Sequence, residues 1–298
     1  MSKSTGSARA VRVAKANKCA RTNKCARTNK CARAVRVAFG SLRQEMGSVR
    51  VIMGYLLGMA FLALGVNDFL RYAMELKEPV NICEAFVVTA NHGMGSRFWA
   101  LGYLLVIADA PFVKGNTYLL LYRSGRRIWN MGMLFYIFVQ ALLYALCFAV
   151  VSAVVSTPFG FSGGLWSSPV YTLAINASNP IAEKYHIYFD GAVMMKYMTV
   201  LQAFGITFLY MLCYYIFLGI LLYVCSLMLG GFWGLAAVAV AHLGGAVLSF
   251  AAGLHQSPVY YVDGAGSHWR YPCIMLALTL IMTVMSLFAV RRVDIRAR

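Results

Sequence analysis

Six stretches of this chain are apolar almost without interruption, and most of its charge lies between them or before the first. They cover residues 51–72, about 98–112, about 128–155, 200–229, 232–254 and 273–290. Most run for about 18 residues or more, the length at which a helix crosses a hydrocarbon core. None alternates in the way a membrane-barrel strand must. The pattern predicts an all-α polytopic membrane protein with six transmembrane helices. Pro111 closes the second run, since proline lacks a backbone donor and restrains the residue before it. That run is short, so it either starts nearer Met94 or enters at a thinned edge of the bilayer. The fourth is longer than the core is thick, so it tilts or protrudes, and Gly230-Gly231 makes a tight turn into the fifth. The fifth run is rich in Gly and Ala, which lets helices approach closely in lipid, so it is expected inside the bundle or at a subunit contact.

The segments between the runs fix an orientation. Residues 74–97 read as a loop of mixed charge with Glu75, Lys77, Glu78, Glu84 and His92. Residues 157–198 form a long connection with few charges and with Gly160, Gly163, Gly164 and Trp166, which suggests an outer loop with short interfacial or re-entrant helices. With both termini in the cytoplasm, the inner segments collect 21 Lys and Arg, against 6 on the outer segments and span ends. Without the first 50 residues the ratio is 8 to 6, in the same direction. The expected home is the plasma (inner) membrane, crossed several times.

Composition agrees: 60% of the residues are hydrophobic and 12% charged, too few charges for a soluble surface of this size. The formal charge of +17 is concentrated, with 13 of the 27 Lys and Arg in the first 50 residues beside one acid. Residues 16–33 repeat a hexamer ending in Cys-Ala-Arg, and the motif ARAVRVA flanks the repeat. Residues 1–50 therefore read as a basic cytoplasmic tail, disordered or lying on a surface. Nucleic acid is not required as its partner, because an anionic membrane attracts basic residues by about 1 kcal/mol each. Residues 51–290 form the transmembrane domain, and 291–298 a basic cytoplasmic C-terminus.

Candidate chemistry is sparse. There is no phosphate-binding GxxxxGK[ST], no HExxH, no GxSxG and no paired CxxC, so nothing points to an enzyme. Cys19, Cys25 and Cys31 are six apart, too wide for a metal or redox pair. Cys83 and Cys273 fall on the expected outer face, where a disulfide between them is conceivable. His92, His186, His255 and His268 lie in outer loops with Asp190 and Asp263, which leaves room for an external metal or proton site, although ordinary loop polarity explains them too. Asn176-Ala177-Ser178 is a glycosylation sequon that matters only in a secretory pathway. Inside or at the ends of the runs, Asp68, Asp109, Gln140 and His242 are candidate pathway residues, since polar groups in spans are costly and face protein or water. A hydrogen bond to a neighbouring helix is the simpler expectation for His242.

One connector stands out. Between the second and third runs lie Lys114, Arg123, Arg126 and Arg127 with no acid among them, and Tyr118, Leu121 and Tyr122 provide apolar anchors. From Asp109-Ala110-Pro111-Phe112 to Tyr122-Arg123-Ser124-Gly125-Arg126-Arg127-Ile128-Trp129, this segment resembles the corresponding segment of type-two ABC exporter permeases, the small bacterial kind. The loop Trp166-Ser167-Ser168-Pro169, the long fourth run and the six-span count are also similar. The resemblance implies a permease subunit that moves a lipid-, peptide- or drug-like substrate without catalytic residues of its own. The ATP and Mg would sit on a separate cytoplasmic ATPase subunit, and no cofactor on this chain. A second permease subunit, the same or related, would complete the path within membrane lipid. The connector would then be the coupling loop, with Tyr118, Leu121, Tyr122, Arg123, Ser124, Gly125, Arg126 and Arg127 meeting the ATPase. The competing readings are a structural or assembly subunit of a larger membrane complex, and an ion-coupled carrier. A carrier should show repeats or broken spans around a midplane charge.

Overall fold

The computed structural model describes residues 31–109, 125–176, 179–252 and 270–292. The chain is an all-α membrane protein in which four helices are long and apolar enough to cross a membrane: Val49–Leu76, Arg126–Phe159, Val200–Leu229 and Pro272–Val290. The described helices are, in order, α1 (31–45), α2 (Val49–Leu76), α3 (Glu84–Asn91), α4 (Gly93–Ile107), α5 (Arg126–Ser156), α6 (Ser168–Ile175), α7 (Pro180–Lys184), α8 (Ala192–Tyr197), α9 (Val200–Leu229), α10 (Gly231–Ala252) and α11 (Arg270–Arg292). A 3-10 turn, Thr157–Phe159, extends α5. Two strands of two residues each, β1 (Val80–Asn81) and β2 (Gly160–Phe161), pair in parallel.

The long helices are apolar all round, so their sequence cannot say which face meets protein and which meets lipid. Glycines decide it for α2 and α4. Gly54 and Gly58 are buried on α2 and face Gly102 of α4. A Cβ at Gly102 would lie 2.8 Å from the carbonyl oxygen of Gly54, so the two backbones touch. Around this contact an aromatic core is packed. Tyr144 of α5 has its ring 5.0 Å from Tyr55, 5.4 Å from Tyr103 and 4.6 Å from Phe148, and its hydroxyl donates to the Trp99 carbonyl at 3.0 Å. Tyr103 stacks on Tyr215 of α9 at 4.8 Å.

The helix ends sort into two groups. At one end, here called the basic end, lie α1 and the start of α2, the start of α5, and the meeting of α9 with α10. There Asn130 of α5 is fully buried and joins three helices: the Tyr223 hydroxyl donates to its Oδ1 at 2.7 Å, and its Nδ2 donates to the Ser286 hydroxyl at 3.2 Å. At the other end, the cap end, the two strands and α6–α8 fold over the bundle. The cap is tied down by Asn81, whose amide donates to Gly163 and Leu165, and by Trp166, whose indole donates to the Met198 carbonyl at 2.9 Å.

Several expectations change. Residues 74–97 are not a solvated loop: α3 lies within them and all eight of its residues are buried. The second apolar run starts earlier than residue 98, near Met94 as its shortness allowed: α4 covers Gly93–Ile107, and residues 110–112 lie outside the described residues. The fifth run, expected inside the bundle or at a subunit contact, lies at the periphery of the chain, which overturns the first of these alternatives, and among its described side chains Gly234, Val238 and His242 are the buried ones. Gly234 is there because α10 folds back on α9, with Ser226 Cα only 2.6 Å from where a Cβ would sit. Residues 31–45, inside the segment read as a tail, are helical, and bury Ala34, Val37 and Ala38. Cys83 and Cys273 are both free thiols.

Candidate functional site

The basic end is built on the first turn of α5. Gly125 precedes it at φ +79°, and no side chain caps the helix. Arg126 and Arg127 follow, both exposed, with no acid in that turn. Cations belong at a helix C-terminus, and each at the N-terminus costs about 0.3–1 kcal/mol. Two arginines there oppose local helix stability. α1 crosses the same region. Its Val37 fills the notch above Gly132, where a Cβ would meet Val37 Cγ1 at 2.8 Å, and Phe39 packs on Phe135 with ring centroids 6.4 Å apart. This leaves Arg33, Arg36 and Arg43 exposed at the same end as Arg126 and Arg127. Of the coupling-loop residues, Gly125, Arg126 and Arg127 are described; Tyr118, Leu121, Tyr122, Arg123 and Ser124 lie outside the described residues.

Asp109 belongs to this end as well. Arg50, in the first turn of α2, reaches Asp109 Oδ1 at 3.0 Å and Glu45 Oε2 at 3.1 Å. The three charges join the end of α1, the start of α2 and the segment after α4. Glu45 is almost fully buried, so Arg50 offsets a desolvated carboxylate as well as joining helices.

Two of the other polar candidates lie within the bundle. Gln140 is fully buried and donates from Nε2 to the Tyr55 hydroxyl at 3.3 Å, while its Oε1 has no partner among the described residues. His242 makes the interhelical bonds expected of it, with Nδ1 2.5 Å from the Tyr214 hydroxyl and Nε2 3.1 Å from the Arg97 carbonyl. It joins α10 to α9 and α4.

Asp68 stands apart, at the cap end. Phe61, Gly65 and Asp68 follow one face of α2 at helical spacing and line a small cleft of about 50 Å³, open on one side. Opposite them are Thr89 and His92, where α3 stops and α4 begins, together with Trp99 and the turn Tyr185-His186-Ile187. The helical path is broken at His92, which is extended at φ −77° and ψ 114°. Irregular backbone near a bilayer is tolerated where protein buries it or water reaches it, and this break borders the cleft. His92 is held below the usual imidazole range by burial, and the Asp68 carboxylate opposes that shift. The histidines expected in separate outer loops are therefore partly reunited: His92 and His186 line one cleft with Asp68. Among the described residues no group of three His, Cys, Asp or Glu is arranged to hold a metal ion.

Glu84 is a polar centre that the sequence did not single out. It is fully buried and accepts from the Asn81 amide at 2.8 Å, from the Ser167 amide at 2.6 Å and from the Ser167 hydroxyl at 2.5 Å. Burial pushes its carboxyl up, and these hydrogen bonds partly restore it. The group clamps α3 to the long cap segment.

Comparison with protein-family models, with characterised proteins and with solved structures finds no match.

Proposed function

We propose that this chain is the membrane permease subunit of an ATP-driven exporter of the type-two ABC kind, working with a separate cytoplasmic ATPase and a second permease subunit. The observation that carries the reading is the basic end: exposed Arg126 and Arg127 stand in an acid-free first turn, against the helix dipole, directly after the connector. Exposed cations of one sign beside a connector form a surface that attracts an acidic partner. A positive-inside orientation turns this end to the cytoplasm, where acidic side chains of an ATPase would meet it.

Chain geometry supports six passages. α4 starts at the cap end beside His92, and the chain just after it reaches Arg50 at the basic end. At 1.5 Å per residue its 15 residues span about 22 Å, short of a core of about 30 Å, which suits a crossing at a thinned edge of the bilayer. α10 runs back from Gly231 at the basic end to a contact with Arg97 near the cap. A lipid-, peptide- or drug-like substrate would move between two such bundles. The broken path at His92 beside Asp68 is the one feature that favours the ion-coupled carrier instead.

The test is charge reversal. Arg126→Glu with Arg127→Glu, in the full-length chain reconstituted with its ATPase, should abolish co-purification of the two subunits and ATP-dependent transport, while the permease keeps its thermal stability. Intact association and transport would remove the coupling assignment.

A further inference from the structure

Helix α1 carries three strips along its length, and the bundle covers one of them. Ala34, Val37 and Ala38 are buried, with the Ala34 carbonyl and the Val37 side chain set against Gly132 of α5. Beside them runs an exposed apolar row, Val35, Phe39 and Met46, at spacings of four and seven. Met46 stays on that row because its amide still donates to the Leu42 carbonyl at 2.9 Å. On the side turned away from α5 runs a cationic row, Arg33, Arg36 and Arg43, at spacings of three and seven. All three are exposed, and none makes a hydrogen bond or ion pair with a described residue. Among the described residues the acids at this end, Glu45 and Asp109, are both held by Arg50.

The apolar row says what lies beside this face. Phe39 packs on Phe135 of α5, and Phe135 stacks on Phe138 with 6.5 Å between centroids. Phe135 and Phe138 are exposed on a helix long and apolar enough to cross the membrane, so they face lipid. Phe39 continues that lipid-facing surface onto α1. Arg36 and Arg43 stand three residues before it and four after it, directly below and above it on the helix. Arginines beside an exposed apolar row are the build of a helix seated at a bilayer surface. A water-soluble acidic partner would leave the apolar row uncovered. Gly40 adds a gap between Arg36 and Arg43, where a Cβ would meet nothing within 4 Å. A phosphate can rest there on bare backbone, with a guanidinium on each side to bind it through paired donors. A zwitterionic head group would bring its own ammonium beside the arginines, so a lipid of net negative charge fits better.

We propose that α1 is an interfacial helix that binds anionic phospholipid, with one lipid phosphate seated over Gly40 between Arg36 and Arg43 and its chains against Phe39, Phe135 and Phe138. Arg33 extends the cationic row toward the next head group. This inference does not depend on the exporter reading. It leaves Arg126 and Arg127 to the ATPase, and it holds equally for a carrier or an assembly subunit.

The test uses the full-length chain in a non-ionic detergent, titrated with short-chain phosphatidylglycerol and read by native mass spectrometry. A saturable phosphatidylglycerol adduct is expected, with phosphatidylcholine at least about tenfold weaker. Arg36→Gln with Arg43→Gln should weaken phosphatidylglycerol at least about tenfold. Lys24→Gln with Lys30→Gln removes the same charge from the preceding segment and should change it by less than about twofold. Gly40→Glu puts an acid within one helical turn of both arginines and should abolish the adduct; it also favours helix over glycine, so loss of folding cannot imitate the result. In nanodiscs, amide exchange over residues 33–43 should be at least about threefold slower with phosphatidylglycerol than with phosphatidylcholine, and equal in the double arginine variant. The proposal is overturned if the two lipids bind alike, or if the lysine pair costs as much as the arginine pair. Displacement of the lipid by equimolar inorganic phosphate would overturn it in favour of a soluble anion. Protection of residues 33–43 in phosphatidylcholine discs only when the ATPase is added would overturn it in favour of a protein partner.

Discussion

Gly102→Ala adds one methyl group where α2, α4 and α5 meet. The new Cβ would lie 2.5 Å from the Tyr144 hydroxyl and 2.8 Å from the Gly54 carbonyl oxygen. Ordinary non-bonded contact between heavy atoms begins near 3.5 Å, so α2 and α4 must part by about 0.7 Å or tilt. The Tyr144 hydroxyl can swing away, at the expense of its 3.0 Å bond to the Trp99 carbonyl, worth about 0.5–1.5 kcal/mol. The Gly54 oxygen is backbone and cannot. Overpacking of this kind costs about 1–3 kcal/mol, and two simultaneous contacts put Gly102→Ala near the upper end, about 2–3 kcal/mol. For a domain of this size that corresponds to a fall in Tm of roughly 4–10 °C.

A double-mutant cycle assigns the cost. Tyr144→Phe removes the mobile contact but leaves the Gly54 oxygen. Gly102→Ala made on that background should therefore cost less than it does alone, by about 1 kcal/mol, and still destabilise. Gly205→Ala is the control: a Cβ at Gly205 of α9 meets nothing within 4 Å, so it should be neutral or stabilise by up to about 1 kcal/mol. Thermal unfolding in detergent, followed by tryptophan fluorescence, measures the parent and all four variants. If Gly102→Ala melts within 1 °C of Gly205→Ala, α2 and α4 are not in backbone contact and the packing described here is wrong.

Two further outcomes are expected. Arg50→Ala takes a cation away from the buried Glu45 carboxylate and should cost about 1–3 kcal/mol, whereas Glu45→Gln made on that variant should recover part of the loss; chemical denaturation of the two variants measures it, and equal midpoints would refute a charge-based role. For His92, burial lowers the folded-state pKa below its unfolded value, so the stability it contributes is complete above the unfolded value, near 6.5, and is lost as pH falls through the folded one. Tm should hold from pH 7.5 to about 6.5 and fall below that; the fall should be shallower in His92→Asn and steeper in Asp68→Asn, which removes the opposing carboxylate, and three parallel curves would exclude His92.

Where the sequence could be read, one local signal was enough. Length and apolarity place α2, α5 and α9 to within two to four residues, because a helix in lipid must satisfy its own backbone whatever it packs against. The burial of α3 was not legible. Glu75, Lys77, Glu78 and Glu84 look like a solvated run, and what makes Glu84 a core residue is Ser167, 83 positions later. The peripheral position of α10 was hidden for a similar reason, since Gly and Ala allow close packing without saying against what. One signal was present and went unread: Gly54 and Gly58 form GxxxG within the first span, which marks the helix face that meets another backbone. Asp68, Asp109, Gln140 and His242 were all visible as costly polar groups. Their partners were not, and the partners separate a charge clamp at Asp109 from a carboxylate at Asp68 that has no hydrogen bond or ion pair among the described residues.

The two ends of the molecule are linked by α4. Its first turns line the cleft through Gly95 and Trp99, its middle contacts α2 at Gly102, and the residue just beyond its end cap, Asp109, is held by Arg50. The carbonyl of Arg97 accepts from or faces His242 of α10, and the carbonyl of Trp99 accepts from Tyr144 of α5. A helix of 15 residues with tight contacts on three sides moves as a rigid body rather than bending. A push on the connector that follows Asp109 would therefore reach the cleft through α4 with little loss. The break at His92 lets α4 shift without dragging α3, which Glu84 pins to the cap. On this argument, severing the Arg50–Asp109 pair acts on the cleft from the far end of the helix: Asp109→Asn should raise amide hydrogen exchange in the first turns of α4, around Gly95 and Trp99, and unchanged exchange there would refute rigid-body coupling.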